Sequence, residues 1–121
     1  MRDIEKLLEI ARRKSVIDQT SSWYSGSETY LTELKHEIDE VIEEIPRNRA
    51  CYLEDELGDV LWDYLNILLA LERESGIDMG SVISRACRKY EERISGIENG
   101  QLWKDIKAQQ KQALAEELSR S

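Results

Sequence analysis

Phenylalanine is absent from the 121 residues, and proline and histidine each occur once. With Leu, Ile, Glu, Lys and Arg abundant instead, this composition favours helices over a sheet. Cysteine is nearly absent too. Cys51 and Cys87 fit no zinc spacing and are too few for a disulfide framework, so they read as reduced cysteines of a cytoplasmic protein. No apolar run approaches the roughly 18 residues that a membrane span needs, which argues against a membrane partner. Met1-Arg2-Asp3-Ile4-Glu5 is charged and helical in pattern, unlike a secretory signal. Positive charge is in deficit, with 17 basic residues against 25 acidic ones and a net charge of -8. Such a surface repels a polymeric nucleic acid, but a small nucleotide remains open because a bound metal inverts the local field.

The length suits a single domain, residues 1–121, with a polar helical extension at about 100–121. Ile4, Leu7, Leu8 and Ala11 predict a first helix ending near Lys14. A polar stretch from Ser15 to Ser27 holds Trp23 and Tyr24, and Ser25 with Glu28 has the form of a capping box for the second helix. Leu31, Leu34, Ile38, Val41, Ile42 and Ile45 form an apolar stripe that Pro46 ends. The third helix, from about Leu53 to Ser75, is apolar nearly all round and reads as the centre of the core, with Gly76 as its stop. A fourth helix begins between Asp78 and Ser81, with Val82, Ile83, Ala86, Tyr90 and Ile94 as its apolar residues. After the Asn99-Gly100 turn a polar last helix starts near Leu102. The expected fold is all-α, a four- to five-helix bundle. Two or three short neighbours cannot cover the third helix, so homodimerisation is expected to complete the bundle, with Leu61, Trp62 and Leu65 facing the partner. The Trp23 loop would be the element lent across that contact.

Acids placed beside apolar stripes carry the chemical signal. On the second helix Glu33, Glu37, Glu40 and Glu44 cluster on the flank of the stripe. On the third, Glu56, Asp59, Asp63 and Asn66 share one polar strip over three turns. Antiparallel packing across the short connection would face the two strips towards each other. Two carboxylates about 5 to 6 Å apart repel by roughly 3 kcal/mol at an effective dielectric of 20. Magnesium or manganese relieves this, accepts oxygen ligands and keeps positions open for phosphates. Glu-x-x-Glu alone carries little weight in so acidic a chain. Its pairing with Glu-x-x-Asp on the next helix, around Gly58, is more specific, since glycine inside a helix calls for a reason such as a close backbone approach. Downstream, Arg85, Lys89 and Arg93 form a basic stripe. Either surface acids such as Glu91 and Glu92 neutralise it, or Lys89 and Arg93 reach the phosphates that the metal holds. His36 has no visible partner and reads as an exposed bystander. Trp62 reads as an interface residue, Trp23 as a stacking candidate in a loop, and Trp103 as an anchor for the last helix.

Glu37-x-x-Glu40 followed by Glu56-Leu57-Gly58-Asp59 resembles the hallmark of the MazG-like, all-α nucleotide pyrophosphohydrolases. Gln19-Thr20 is similar to a short element before the second helix in many members, and Lys89-x-x-x-Arg93 to their basic pair. The resemblance covers about Asp18 to Ile94. It implies hydrolysis of a nucleoside triphosphate to the monophosphate and pyrophosphate, with Glu37, Glu40, Glu56 and Asp59 as magnesium ligands. It also implies a homodimer or dimer of dimers. Gln19, Trp23, Asp63, Asn66, Lys89 and Arg93 would then be substrate contacts. His36, where many members carry an acid, and Asp63 and Asn66, at variable positions, bear on the choice of base. The competing readings are a phosphoribosyl-ATP or pyrimidine triphosphate pyrophosphatase of the same superfamily, and a non-catalytic helical adaptor.

Overall fold

The computed structural model describes residues 2–121. Its five helices are α1 (Arg2–Asp18), α2 (Ser27–Glu44), α3 (Ala50–Ser75), α4 (Met79–Glu98) and α5 (Trp103–Arg120), with a 3-10 turn at Ile45–Arg47. Among the described residues there is no strand, and the protein is all-α as expected. The chain divides into two compact units, the first ending at Met79 and the second spanning Gly80–Ser121.

In the first unit α2 and α3 are antiparallel. Ser27, at the start of α2, meets Glu74 near the end of α3, while Glu44 and Arg49 meet at the connection. Pro46 ends α2 as predicted: the chain tightens into the 3-10 turn, and Asn48 adopts the left-handed conformation that lets α3 start at Ala50. The Arg49 guanidinium grips the Glu44 carboxylate at 2.7 and 2.9 Å, with Arg47 at 3.8 Å. Glu44 is thereby held below the usual carboxylate range and serves the turn, apart from the other acids of its strip.

Three local expectations are corrected. First, α1 runs on to Asp18, because Lys14 pairs with Asp18 one turn later and carries the helix through Ser15–Ile17. Second, the Ser25–Glu28 capping box does not form. Gly26, at φ 96°, leads into α2, and Glu74 supplies the cap from α3, accepting from Ser27 N at 2.7 Å and Ser27 Oγ at 2.9 Å. Third, only part of the apolar stripe of α2 is covered. Tyr30 and Glu44 are buried and Leu34, Glu37 and Val41 half-buried on one face, whereas Leu31, Ile38, Ile42 and Ile45 stay open, Ile42 at 61 %.

The buried core gathers on the second half of α3, at Leu65, Ile67, Leu68, Leu69 and Ala70, with Ala11 of α1 and Tyr30 of α2. Leu65 is therefore not an open partner-facing residue, although Leu57, Leu61 and Tyr64 are exposed. A side chain at Gly58 would meet nothing within 4 Å, so the close approach expected there is not made within this chain. Gly76 ends α3 in the left-handed conformation.

The second unit is a helical pair. At Gly96 a Cβ would come within 2.5 Å of Ile106 Cδ1, so any larger residue would have to displace the fully buried Ile106. Ion pairing joins Arg85 to Glu117. Arg93 donates through Nε to Gln110 Oε1 at 2.7 Å and lies over the Trp103 ring at 4.9 Å. Ile83, Tyr90, Ile94 and Ile97 are exposed, so the predicted stripe of α4 is only lightly covered.

Candidate functional site

Because α2 presents its acidic flank to α3, carboxylates from both helices converge. One oxygen each from Glu37, Glu56 and Asp59 lies within 4.8 Å of the others, close enough to share one ion. Glu40, exposed at the rim, reaches the Glu56 carboxyl. Glu56 is pushed up to about 7, first by that contact, then by burial and by Glu37. Burial raises Glu37, and Glu40 and Asp59 push it further, although the Glu56 contact opposes them. Asp59 is raised by burial and by Asp55 and Glu40. The causes are common to all three: desolvation disfavours charge, and like charges crowd together.

The hydrogen bonds point the same way. Glu37 Oε2 and Glu56 Oε2 are buried with no donor in reach, and so is Asp63 Oδ2 one turn further along α3. Buried acceptors without donors are costly, at about 1–3 kcal/mol each, unless something positive meets them. This all-oxygen, multiply charged set fits a hard divalent cation in the magnesium or manganese class.

Beside these acids opens a pocket of about 240 Å³. Glu37 and Asp59 form one part of its wall; Lys14, Trp23 and Tyr30 form another, with Glu33, Trp62 and Asp63 completing it. Trp62, half-buried, and Trp23 both line this pocket. Trp23 meets Tyr30 edge-on at 5.4 Å and carries the Lys14 ammonium 4.6 Å above its ring. That ammonium is pinned by the buried Asp18 carboxylate and lies 3.1 Å from Tyr30 Oη, which itself donates to Asp18. Burial and the Asp18 carboxylate hold the Tyr30 phenol protonated far above its ordinary range.

The remaining expected residues are placed as follows. Asp63 is 6 % exposed and raised to about 6, chiefly by burial and then by Glu33 and Asp59. Asn66 is fully buried; its Nδ2 donates to the Trp62 carbonyl at 2.9 Å, leaving Oδ1 without a donor. Gln19 is exposed in the turn after α1, and His36 is exposed as expected. Lys89 and Arg93 belong to the second unit. There Gln110 accepts from Arg93 Nε and donates to the Lys89 carbonyl and to Glu92 Oε1, so it links Arg93 to one of the two acids expected beside it. The sequence did not single out Lys14, Asp18 and Tyr30. The i,i+4 spacing of Lys14 and Asp18 was a legible signal, but only once α1 is drawn past Lys14.

Known proteins resemble this chain in sequence and in fold. The model of the MazG nucleotide pyrophosphohydrolase domain matches residues 25–96, which hold all four acids. The crystal structure of a mazG-related protein from Thermotoga maritima is similar at a TM-score of 0.72 and 30% identity, over 86% of this chain and 98% of that one. A search of curated proteins gave no match. With more than half of the chain inside the matched domain, the protein belongs to the MazG nucleotide pyrophosphohydrolase family.

Proposed function

We propose that the protein hydrolyses nucleoside triphosphates to the monophosphate and pyrophosphate with magnesium, as nucleotide-pool house-cleaning in the cytoplasm. The observation that carries this is the meeting of Glu37, Glu56 and Asp59 around buried oxygens that lack donors. Those three would hold the cation, with Glu40 completing the set from the rim. When bound, the cation neutralises phosphate charge and makes the phosphorus easier for water to attack. The side chains hold the triphosphate end over the acids, while the aromatic part of the pocket takes the remainder of the nucleotide. Lys89 and Arg93 are assigned to phosphate binding, the role that their basic spacing suits. The adaptor reading would leave buried, mutually repelling carboxylates without a purpose. The deciding experiment measures pyrophosphate released from a set of nucleoside triphosphates, with and without magnesium. Release that needs magnesium is expected; none from any nucleotide defeats the reading.

The same acids set a pH dependence for the metal-free protein. Glu56 at about 7 and Asp63 at about 6 lie above their ordinary values, so the folded state keeps protons that the unfolded chain has released. Stability therefore falls as pH rises through this window. The metal-free Tm is expected to be higher at about pH 5.5 than at about pH 7.5, and magnesium should restore it at the higher pH. Scanning calorimetry with a chelator and then with magnesium checks this, and an unchanged Tm on adding magnesium would count against the site.

A second copy of the chain is proposed to cover the open stripes of α2 and α4 and the exposed Leu57 and Leu61 of α3. A dimer of dimers would extend the same principle. The second unit, in which Arg93, Gly96 and Ile106 are the buried residues, is too small to be stable without further apolar contact.

A further inference from the structure

The pocket contains more than a metal site and a stacking surface. Asp63 is 6 % exposed, forms part of the wall, and its Oδ2 has no donor. A second carboxylate, Glu33 of α2, shares that wall and lies near enough to raise Asp63. Lys14 supplies the opposite polarity. Asp18 and Tyr30 fix its ammonium over Trp23, so it is a donor held in place by its neighbours. Trp23 and Trp62 add two apolar ring surfaces.

We propose that Lys14, Trp23, Glu33, Trp62 and Asp63 form a nucleobase site selective for guanine. This deepens the nucleotide reading above and rests on it. Buried carboxylates need N–H donors. Guanine offers two adjacent ones, N1–H and the 2-amino group, which pair with a carboxylate in parallel. Its O6, next to them, accepts from an ammonium. Adenine and cytosine offer one amino group each beside an unprotonated ring nitrogen that faces the carboxylates. Uracil and thymine place carbonyl oxygens on both sides of their single N–H. Lys14, Asp18 and Trp23 lie outside the matched domain, so the N-terminal helix and the loop after it would add the ammonium and one ring to carboxylates that lie within that domain.

The test uses the full chain. Steady-state kcat/KM with magnesium is compared for GTP, ITP, ATP, CTP and UTP. In parallel, quenching of tryptophan fluorescence by the nucleosides guanosine, inosine, cytidine and uridine is measured without metal. GTP is expected to exceed UTP and CTP by at least about 10-fold, the discrimination of one good bidentate pair. ITP, lacking the 2-amino group, should fall between, and the nucleosides should bind in the same order. Asp63→Asn should lower the GTP-to-UTP ratio by about 10-fold. Glu33→Gln, at a half-buried position, reads the same ratio if Asp63→Asn does not fold. A preference for adenine or a pyrimidine overturns the inference, as does an unchanged ratio in both variants. Equal loss on every nucleotide together with weaker magnesium binding also overturns it, because Asp63 would then belong to the metal set. Absence of hydrolysis with all five nucleotides strikes the underlying reading instead, while the nucleoside titration still reports on the base site.

Discussion

Glu56→Gln is expected to reduce pyrophosphate release by more than about a hundred-fold, beyond the 10–100-fold typical of outer-shell changes at metal sites. Glutamine keeps the shape of the side chain but removes the charge at the point where Glu40 and Glu37 press on it. A neutral amide binds a hard cation more weakly than a carboxylate. The same change should stabilise the metal-free protein above about pH 7, because like-charge repulsion and desolvation are relieved together. The variant should also lose part of the pH dependence of Tm described for the native chain. Activity and calorimetry on one preparation check both effects. Near-native turnover would remove Glu56 from the metal set, and a lower Tm without metal would show that repulsion is not what raises its pKa.

Leu61→Lys is expected to abolish the proposed dimer and to lower activity strongly. Leu61 is 37 % exposed on the half of α3 next to the acids, and the open α2 stripe contributes Leu31, Ile38 and Ile42. A standard interface removes about 1,600 Å² from water, and apolar area contributes about 25 cal/mol per Å². Several kcal/mol per chain would thus remain after the losses of association, enough to make the dimer obligate. A lysine in such a contact is a buried unpaired charge. Sedimentation of native and variant chains, with activity measured at matching concentrations, checks this. A native chain that is monomeric and active at micromolar concentration defeats the proposal, as does a monomeric variant with full activity.

Helix content, helix order and the breaks at Pro46, Gly76 and Gly100 were legible in the sequence, because they depend on backbone chemistry within a few residues. The Glu37, Glu56 and Asp59 convergence was legible too: a fixed helical period and one short connection leave the two acidic strips little choice but to meet. The cap of α2 was not, since Glu74 arrives from 47 residues away while Ser25 and Glu28 offered a local pattern that folding did not use. Nor could the wheel reveal that Leu31, Ile38, Ile42 and Ile45 of the α2 stripe stay open. Periodicity gives the angle between two faces of a helix but says nothing of which neighbour each face meets. For the same reason the pocket position of Trp62 was not legible, and Lys14 looked like the end of a helix. By itself, the sequence determined the helices, their punctuation and the acids that gather between two of them. Only the tertiary structure decided what surrounds those acids: the lysine pinned by Asp18 and Tyr30, the two indoles, and the buried Asp63. These groups come from three helices and a loop, and their pairing is a matter of packing between elements distant in the chain.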